Sequence, residues 1–148
     1  MKMREAMTRD VTIVSPQDTI RDAAVMMSHI DAGSLPVGQS DRLVGMLTDR
    51  DIAIRAVGTS RGPDTKVEEI MSTGICYCYE DEEAEDVCRN LADQQIRRIP
   101  VVDQDKRLVG ILSLGDLARV DGSKGSVGAA LAGVARPGGD HVQSTSSS

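Results

Sequence analysis

RLVGMLTDRD, residues 42–51, returns 65 positions later as RLVGILSLGD, residues 107–116. The similarity extends upstream, because Leu-Pro-Val at residues 35–37 matches Ile-Pro-Val at residues 99–101, 64 positions apart. The one extra residue falls in the polar turn between these stretches, where a surface loop tolerates insertion. The chain therefore contains two copies of one unit, which predicts that the same local structure forms twice.

Each copy has the pattern of a β-α-β-β-α unit. A β-prone stretch is broken by Pro16 in the first copy, and Asp18 is the predicted N-cap of the helix that follows. Apolar residues then recur at i, i+3, i+4 and i+7, which is typical of one helical face. These are Ile20, Ala23, Ala24 and Met27 in the first copy, and Ala84, Val87, Cys88 and Leu91 in the second.

A hairpin and a second helix complete each predicted copy. Two short β-prone stretches flank a polar turn, which favours an antiparallel pair. The predicted strands are residues 11–14, 35–38, 43–47, 75–78, 99–102 and 108–112, and the second helices are residues 50–57 and 115–120.

These elements predict an α+β fold of two β-α-β-β-α repeats, related by pseudo-twofold symmetry and packed sheet to sheet. One copy of about 50 residues buries too little surface to be stable alone, whereas two copies can share one apolar core. The predicted domains are repeat 1 at 1–57, a linker at 58–66, repeat 2 at 67–120, and a mostly flexible Gly/Ser-rich tail at 121–148.

Composition excludes several classes of function. The formal net charge of −6 over 148 residues disfavours nonspecific nucleic-acid binding, which needs a basic face. Only Tyr77 and Tyr79 are aromatic, too few rings for a protein that stacks single-stranded bases. The chain has neither an apolar run of about 20 residues nor an apolar signal-peptide core, and three cysteines do not suggest a secreted disulfide framework. We expect a cytoplasmic protein that binds neither nucleic acid nor membrane.

The end of each hairpin contains the residues that could bind a ligand. Thr48 and Ser113 stand where a strand becomes a helix, so unpaired N–H groups and the helix dipole favour an anion there. Asp51 and Asp116 follow one helical turn later, where a carboxylate can accept hydrogen bonds from two ribose hydroxyls. Together these groups point to a nucleotide. The same residues are also good helix caps, and that structural interpretation stays open at this point.

The combined pattern resembles a tandem pair of CBS domains (named after cystathionine β-synthase), also called a Bateman module, over residues 1 to about 120. The matching pieces are Met-Thr/Ser near each start, Leu/Ile-Pro-Val in the middle and Gly-x-x-Thr/Ser-x-x-Asp at the end. It is most similar to small stand-alone bacterial CBS-pair proteins, including those called hypoxic response proteins. The resemblance implies a regulatory homodimer, not an enzyme, that acts in energy sensing or stress response. It would need no cofactor or metal.

The resemblance also implies the ligand and the residues that hold it. Two clefts would bind AMP, ADP, ATP or a related adenosyl ligand, and the ligand-dependent arrangement would be read by an effector protein. The motif aspartate would hold the ribose, and the hydroxyl residue would help to hold the phosphate. Arg97 and Arg98 have no basic counterpart in the first copy, so the cleft with Arg98 should bind phosphate more strongly. The predicted nucleotide-binding residues are Thr48, Asp51, Ser113, Asp116, Arg97, Arg98, Met46 and Ile111.

Two alternatives to nucleotide binding remain open in the sequence. The chain could be a ligand-free dimerisation or interaction module whose clefts are filled by side chains, and Tyr79 could either stack on an adenine or take its space. Cys76 and Cys78, two apart on a predicted strand, face the same side and could form a thiol redox sensor. A catalytic motif or Walker phosphate loop is not present, so we expect no enzymatic activity.

Overall fold

The computed structural model describes residues 1–87, 98–113 and 116, and these divide into two compact units. The first-repeat unit is Thr12–Ile75, and the second-repeat unit joins Met1–Val11 to the described residues from Cys76 onward. Each unit combines short strands with helices, so the predicted α+β class is confirmed. None of the described helices is long and apolar enough to cross a bilayer.

The elements follow the predicted order. Helix α1 (Met3–Ala6) opens the chain, and helical structure begins again at Ala84. The first-repeat unit contains α2 (Ile20–Ile30), β1 (Ser34–Gln39), β2 (Arg42–Thr48), α3 (Asp49–Asp51), a π-helix (Ile52–Ala56), and 3₁₀ turns at Val57–Thr59 and Val67–Glu69. The second-repeat unit contains β3 (Cys78–Tyr79), β4 (Arg98–Val102) and β5 (Leu108–Ser113).

The two hairpins have the same register, which confirms the four hairpin strands. In each, the strands pair antiparallel, and a β-bulge follows the valine of the Pro-Val dipeptide. The extra residue therefore lies beyond the bulge and leaves the paired stretch unchanged. The matched pairs are Ser34–Thr48 and Arg98–Ser113, Leu35–Leu47 and Ile99–Leu112, Pro36–Met46 and Pro100–Ile111, and Val37–Gly45 and Val101–Gly110.

The first strand of each copy is much shorter than predicted. Of residues 11–14 only Val14 bridges to β1, and of residues 75–78 only the last lies in β3, which pairs parallel with β4. The second copy pairs further because Glu80 donates its N–H to a β4 carbonyl at 2.9 Å. Pro16 holds the matching position of the first copy and has no N–H, so pairing stops there.

Helix α2 corrects two further predictions. Its N-cap is Thr19, whose hydroxyl accepts the Asp22 N–H at 3.2 Å, whereas Asp18 accepts the Ser15 N–H at 2.9 Å and closes the preceding turn. Ala24 is exposed, so the buried face of the helix is narrower than its apolar pattern. Cys88, Leu91, the tail and the helix predicted at 115–120, apart from Asp116, lie outside the described residues.

The opening segment of each copy packs into the unit of the other copy. In the second-repeat unit, Met3 and Met7 join the apolar core beneath β4 and β5. In the first-repeat unit, Val67 and Ile70 join the core formed by α2, β1 and β2. The Met-Thr/Ser dipeptide that follows lies against the last strand in both units, through the antiparallel bridges Thr8–Ile111 and Met46–Ser72. The sequence repeats and the compact units are therefore different divisions of the chain.

Candidate ligand-binding site

The motif at the end of β2 folds into a reciprocal capping box. Asp51 donates its backbone N–H to Thr48 Oγ1 at 3.0 Å, and Thr48 donates its backbone N–H to Asp51 Oδ2 at 3.0 Å. This arrangement satisfies two N–H groups at the start of α3, which is what a capping box does. The Thr48 hydroxyl proton is left to donate to another acceptor.

The second copy repeats this box at the end of β5. Ser113 donates its N–H to Asp116 Oδ2 at 3.0 Å, and Asp116 donates its N–H to Ser113 Oγ at 3.2 Å. The other carboxylate oxygen, Asp116 Oδ1, accepts the Thr8 hydroxyl at 3.1 Å. The four residues that the motif singles out are therefore brought together in pairs, with the same geometry twice.

Both aspartates are buried. Asp51 is 0% exposed and Asp116 is 6% exposed. Burial raises the pKa of Asp51 above its ordinary value, because the charged form loses water, although the hydrogen bonds from Thr48 and the charge of Arg55 oppose the change. Asp51 Oδ1 has no hydrogen-bond partner. A buried acceptor without a donor is uncommon and calls for an explanation.

The predicted apolar lining residues lie next to these boxes. Met46 is half-buried and its backbone pairs with Ser72, at 2.9 and 2.8 Å. Ile111 is 5% exposed and its backbone pairs with Thr8, at 2.9 Å in each direction. Met46 therefore joins β2 to the segment around Ser72, and Ile111 joins β5 to the segment around Thr8.

Arg98 lies directly opposite Ser113 in the β4–β5 hairpin. Its Nε atom is buried and has no hydrogen-bond partner. As cross-strand partners, Arg98 and Ser113 have side chains on the same face of the hairpin. Arg97 lies outside the described residues.

Two arginines of the first copy were missed from the sequence. Arg50 belongs to α3, and its Nε is also buried without a hydrogen-bond partner. Arg55 Nε lies 3.9 Å from Asp51 Oδ1, an i,i+4 ion pair. That spacing was visible in the sequence, since residues four apart on a helix are neighbours. In the first copy, therefore, a helical arginine, Arg55, supplies a positive charge near the Asp51 carboxylate.

Tyr77 and Tyr79 contact each other, whereas Cys78 lies in the core of the second-repeat unit. The rings of Tyr77 and Tyr79 meet edge to face with centroids 5.8 Å apart, and Lys106 Nζ lies 5.1 Å from the centroid of the Tyr77 ring.

Cys78 is buried, and its thiol donates to Pro100 O at 3.8 Å. Burial raises the pKa of this thiol to about 12. Because the thiolate is the reactive form, this environment opposes a redox role for Cys78.

In the described part of the chain, no group of three or more His, Cys, Asp and Glu side chains is placed to hold a metal ion.

Comparison with known proteins gives the family. The CBS domain family model matches residues 3–58 and again residues 67–123. The CBS domain-containing protein YhcV of Bacillus subtilis (strain 168) is 43% identical over 132 residues, which cover 89% of this chain and 94% of that protein.

Solved structures share the fold over most of their length. The structure of Hypoxic Response Protein I with two coordinated zinc ions has a TM-score of 0.73 and 36% identity, and covers 80% of this chain and 98% of that one. CBSX2 in complex with AMP has a TM-score of 0.71 and 26% identity, with coverages of 80% and 93%. The CBS domain pair of MJ0100 with 5′-methylthioadenosine and S-adenosyl-L-methionine has a TM-score of 0.71 and 27% identity, with coverages of 84% and 98%. This chain belongs to the CBS domain family and carries two copies of the domain in tandem.

Proposed function

We propose that this chain is a regulatory protein, without catalytic activity, that binds an adenine nucleotide or related adenosyl ligand through its two hydroxyl–carboxylate boxes. The supporting observation is the Asp51 carboxylate, which is fully buried and has one oxygen without a hydrogen bond. A capping box contributes about 1 kcal/mol and needs no burial. Burying a carboxylate costs several kcal/mol, so a structural cap alone does not explain this site.

A ribose supplies the missing donors. Its vicinal hydroxyls can donate to a carboxylate, as they do to acidic residues in dinucleotide folds. Guanidinium groups on both repeats, from Arg50 and Arg98, each have a buried Nε without a hydrogen-bond partner and suit a phosphate beside the ribose. The second site should bind phosphate more strongly than the first, because Arg98 lies opposite Ser113. The AMP complex of CBSX2 and the adenosyl complex of MJ0100 support this class of ligand.

The regulatory mechanism would be a ligand-dependent conformational change. A ligand that binds one arrangement of the protein more tightly shifts the population toward it, and an effector protein reads that arrangement. The free thiol of Cys78 suits a reducing compartment such as the cytoplasm.

Binding of adenosine compounds tests the proposal directly. Adenosine, AMP, ATP and S-adenosylmethionine should each be added at millimolar concentration in a thermal melt, with 2′,3′-dideoxyadenosine as the matched control without ribose hydroxyls. A ligand at a hundredfold excess over its Kd stabilises the folded state by about 2.7 kcal/mol, so at least one compound should raise Tm while the dideoxy control does not. If none raises Tm, the chain is an interaction module without a ligand.

A homodimer is the second part of the proposal, and an apolar groove of the first-repeat unit supports it. Residues of α2, of the Ile52–Thr59 helical segment and of the turn at 61–63 line a groove of about 460 Å³, in which aliphatic side chains lie beside Arg21, Ser28 and Arg61. Val25 and Val57 on its wall are 52% and 69% exposed. Exposed aliphatic side chains clustered around a groove mark an interaction site, and a second copy of the chain would cover it.

Val25→Asp is expected to raise the dimer dissociation constant at least tenfold, because dimerisation would then have to remove a carboxylate from water. Ile30→Asp is the matched control, since Ile30 lies on the same helix, is 42% exposed and does not line the groove. Light scattering after gel filtration would measure both variants. A monomeric wild type, or equal dissociation of the two variants, would exclude this interface.

A further inference from the structure

Arg55 links the buried Asp51 carboxylate to a different segment of the same unit. It lies in the π-helix (Ile52–Ala56) that follows α3, and its side chain is 22% exposed. Its Nη1 atom donates to the carbonyl oxygens of Ile70 at 3.2 Å and Met71 at 3.4 Å. These two hydrogen bonds hold the guanidinium in place.

The position of the guanidinium leaves one buried carboxylate oxygen without a hydrogen bond. Arg55 Nε lies 3.9 Å from Asp51 Oδ1, too far for a hydrogen bond, while Oδ2 accepts the Thr48 N–H at 3.0 Å. A direct hydrogen bond would occupy Oδ1. At 3.9 Å the positive charge still favours the ionised carboxylate, and the lone pairs of Oδ1 have no hydrogen-bond donor.

Both oxygens of Asp51 are hydrogen-bond acceptors only when the carboxyl group is ionised. Burial favours the protonated acid, and the neighbouring carboxylate of Asp49 acts in the same direction. The hydrogen bonds from Thr48 and, after them, the charge of Arg55 act in the opposite direction. A protonated carboxyl carries an O–H donor and has lost part of its acceptor capacity, so it is a poor partner for ribose hydroxyls.

We infer that Arg55 is a positioning residue of the first ligand site, which keeps Asp51 in its acceptor form without occupying the oxygen that receives the ligand. The inference rests on the proposed function for the identity of that ligand, a ribose. At the second site, Asp116 Oδ1 accepts the hydroxyl of Thr8 at 3.1 Å. Arg55 should therefore make ribose binding at the first site less sensitive to acid.

The test compares Arg55→Gln with Arg55→Lys, both with Asp116→Asn so that the first site alone reports. Isothermal titration with adenosine from pH 5 to pH 8 avoids a phosphate, which would itself titrate. The affinity of the parent should fall toward low pH, where Asp51 becomes protonated. Arg55→Gln should show this fall at a higher pH, with an affinity about tenfold or more below that of the parent at the acid end of the range. Arg55→Lys keeps a charge and should keep the pH profile of the parent, with less than a tenfold loss.

A measurement without ligand separates this inference from the proposed function. Carboxyl ¹³C NMR, assigned with Asp51→Asn, would give the titration midpoint of Asp51, which should move upward in Arg55→Gln and stay near the parent value in Arg55→Lys. Adenosine binding with the same pH profile and the same midpoint in Arg55→Gln would overturn the role of Arg55 and leave the function intact. A shifted midpoint without any adenosine binding would refute the proposed function and support the charge-holding role.

Discussion

Gly45→Ala is expected to lower the free energy of unfolding by about 2–3 kcal/mol, the cost of overpacking a tightly packed site. A Cβ at residue 45 would lie 2.7 Å from the Ser72 carbonyl oxygen and 3.0 Å from Met71 Sδ. The carbonyl cannot move aside, because it accepts the N–H of Met46 at 2.9 Å. The substitution should therefore force the Met71–Ser72 segment away from β2.

Gly74→Ala is the control for Gly45→Ala, since a Cβ at residue 74 meets no atom within 4 Å. Its effect should stay within about 0.5 kcal/mol. Urea denaturation of both variants, with the slope checked for two-state behaviour, would measure the difference. Equal midpoints for the two alanine variants would show that the close approach at Gly45 does not constrain the fold.

The same contact explains why two separate pieces of the repeat recur together. At Gly110 a Cβ would collide with Met7 Sδ and lie 3.0 Å from the Thr8 carbonyl. The Met-Thr/Ser dipeptide and the glycine of RLVG are therefore two sides of one backbone crossing, formed once in each unit. The repeat identified the dipeptide and the glycine separately. It did not predict that they touch, because they are far apart in sequence and meet only in the folded protein.

The hairpins were predictable because local signals agreed: β-prone residues, a polar turn and repetition of the whole pattern. The early strands were overpredicted because the β-propensity of residues 11–14 gives no information on whether a partner strand is in reach. The exchange of opening segments was not predicted, because α1 and the Val67–Glu69 turn are too short for periodicity to indicate which core receives them.

The spacing within the motif predicted which residues lie together at the candidate site, but not how deeply they are buried. The spacing of Thr48 and Asp51 sufficed for the box, since both residues lie within one helical turn. The complete burial of Asp51 depends on tertiary packing, which a motif does not contain. The i,i+4 spacing of Asp51 and Arg55 was visible in the sequence, but the hydrogen bonds from Arg55 to the carbonyls of Ile70 and Met71 depend on tertiary packing.

Asp51→Asn is expected to separate ligand affinity from stability. An asparagine can still accept the Thr48 N–H through its amide oxygen, but it offers a neutral amide to the ribose. Hydrogen bonds to charged groups contribute about 1.5–3 kcal/mol, so adenosine affinity at the first site should fall about tenfold to a hundredfold. Titration calorimetry in the Asp116→Asn background would measure this loss.

Asp51→Asn should raise the free energy of unfolding at pH 7, although it lowers the affinity for adenosine. The pKa of Asp51 is raised in the folded state above its ordinary value of 3.8, so the folded state binds the proton more tightly than the unfolded state does. The stability that Asp51 contributes therefore falls as pH rises from 3.8 through the folded pKa, and above that range its ionisation is a cost. Asparagine cannot ionise, so the variant should melt at a higher temperature than the wild type at pH 7. That advantage should shrink as the pH falls below the folded pKa.

Asp49→Asn makes the same charge change at an exposed neighbouring residue and should alter adenosine affinity less than threefold. A fold that is weaker at pH 7 in Asp51→Asn, together with unchanged adenosine affinity, would make Asp51 a structural cap. Lower affinity with a higher Tm is the pattern of a carboxylate buried at a cost to stability, because a ligand hydroxyl completes its hydrogen bonding when bound.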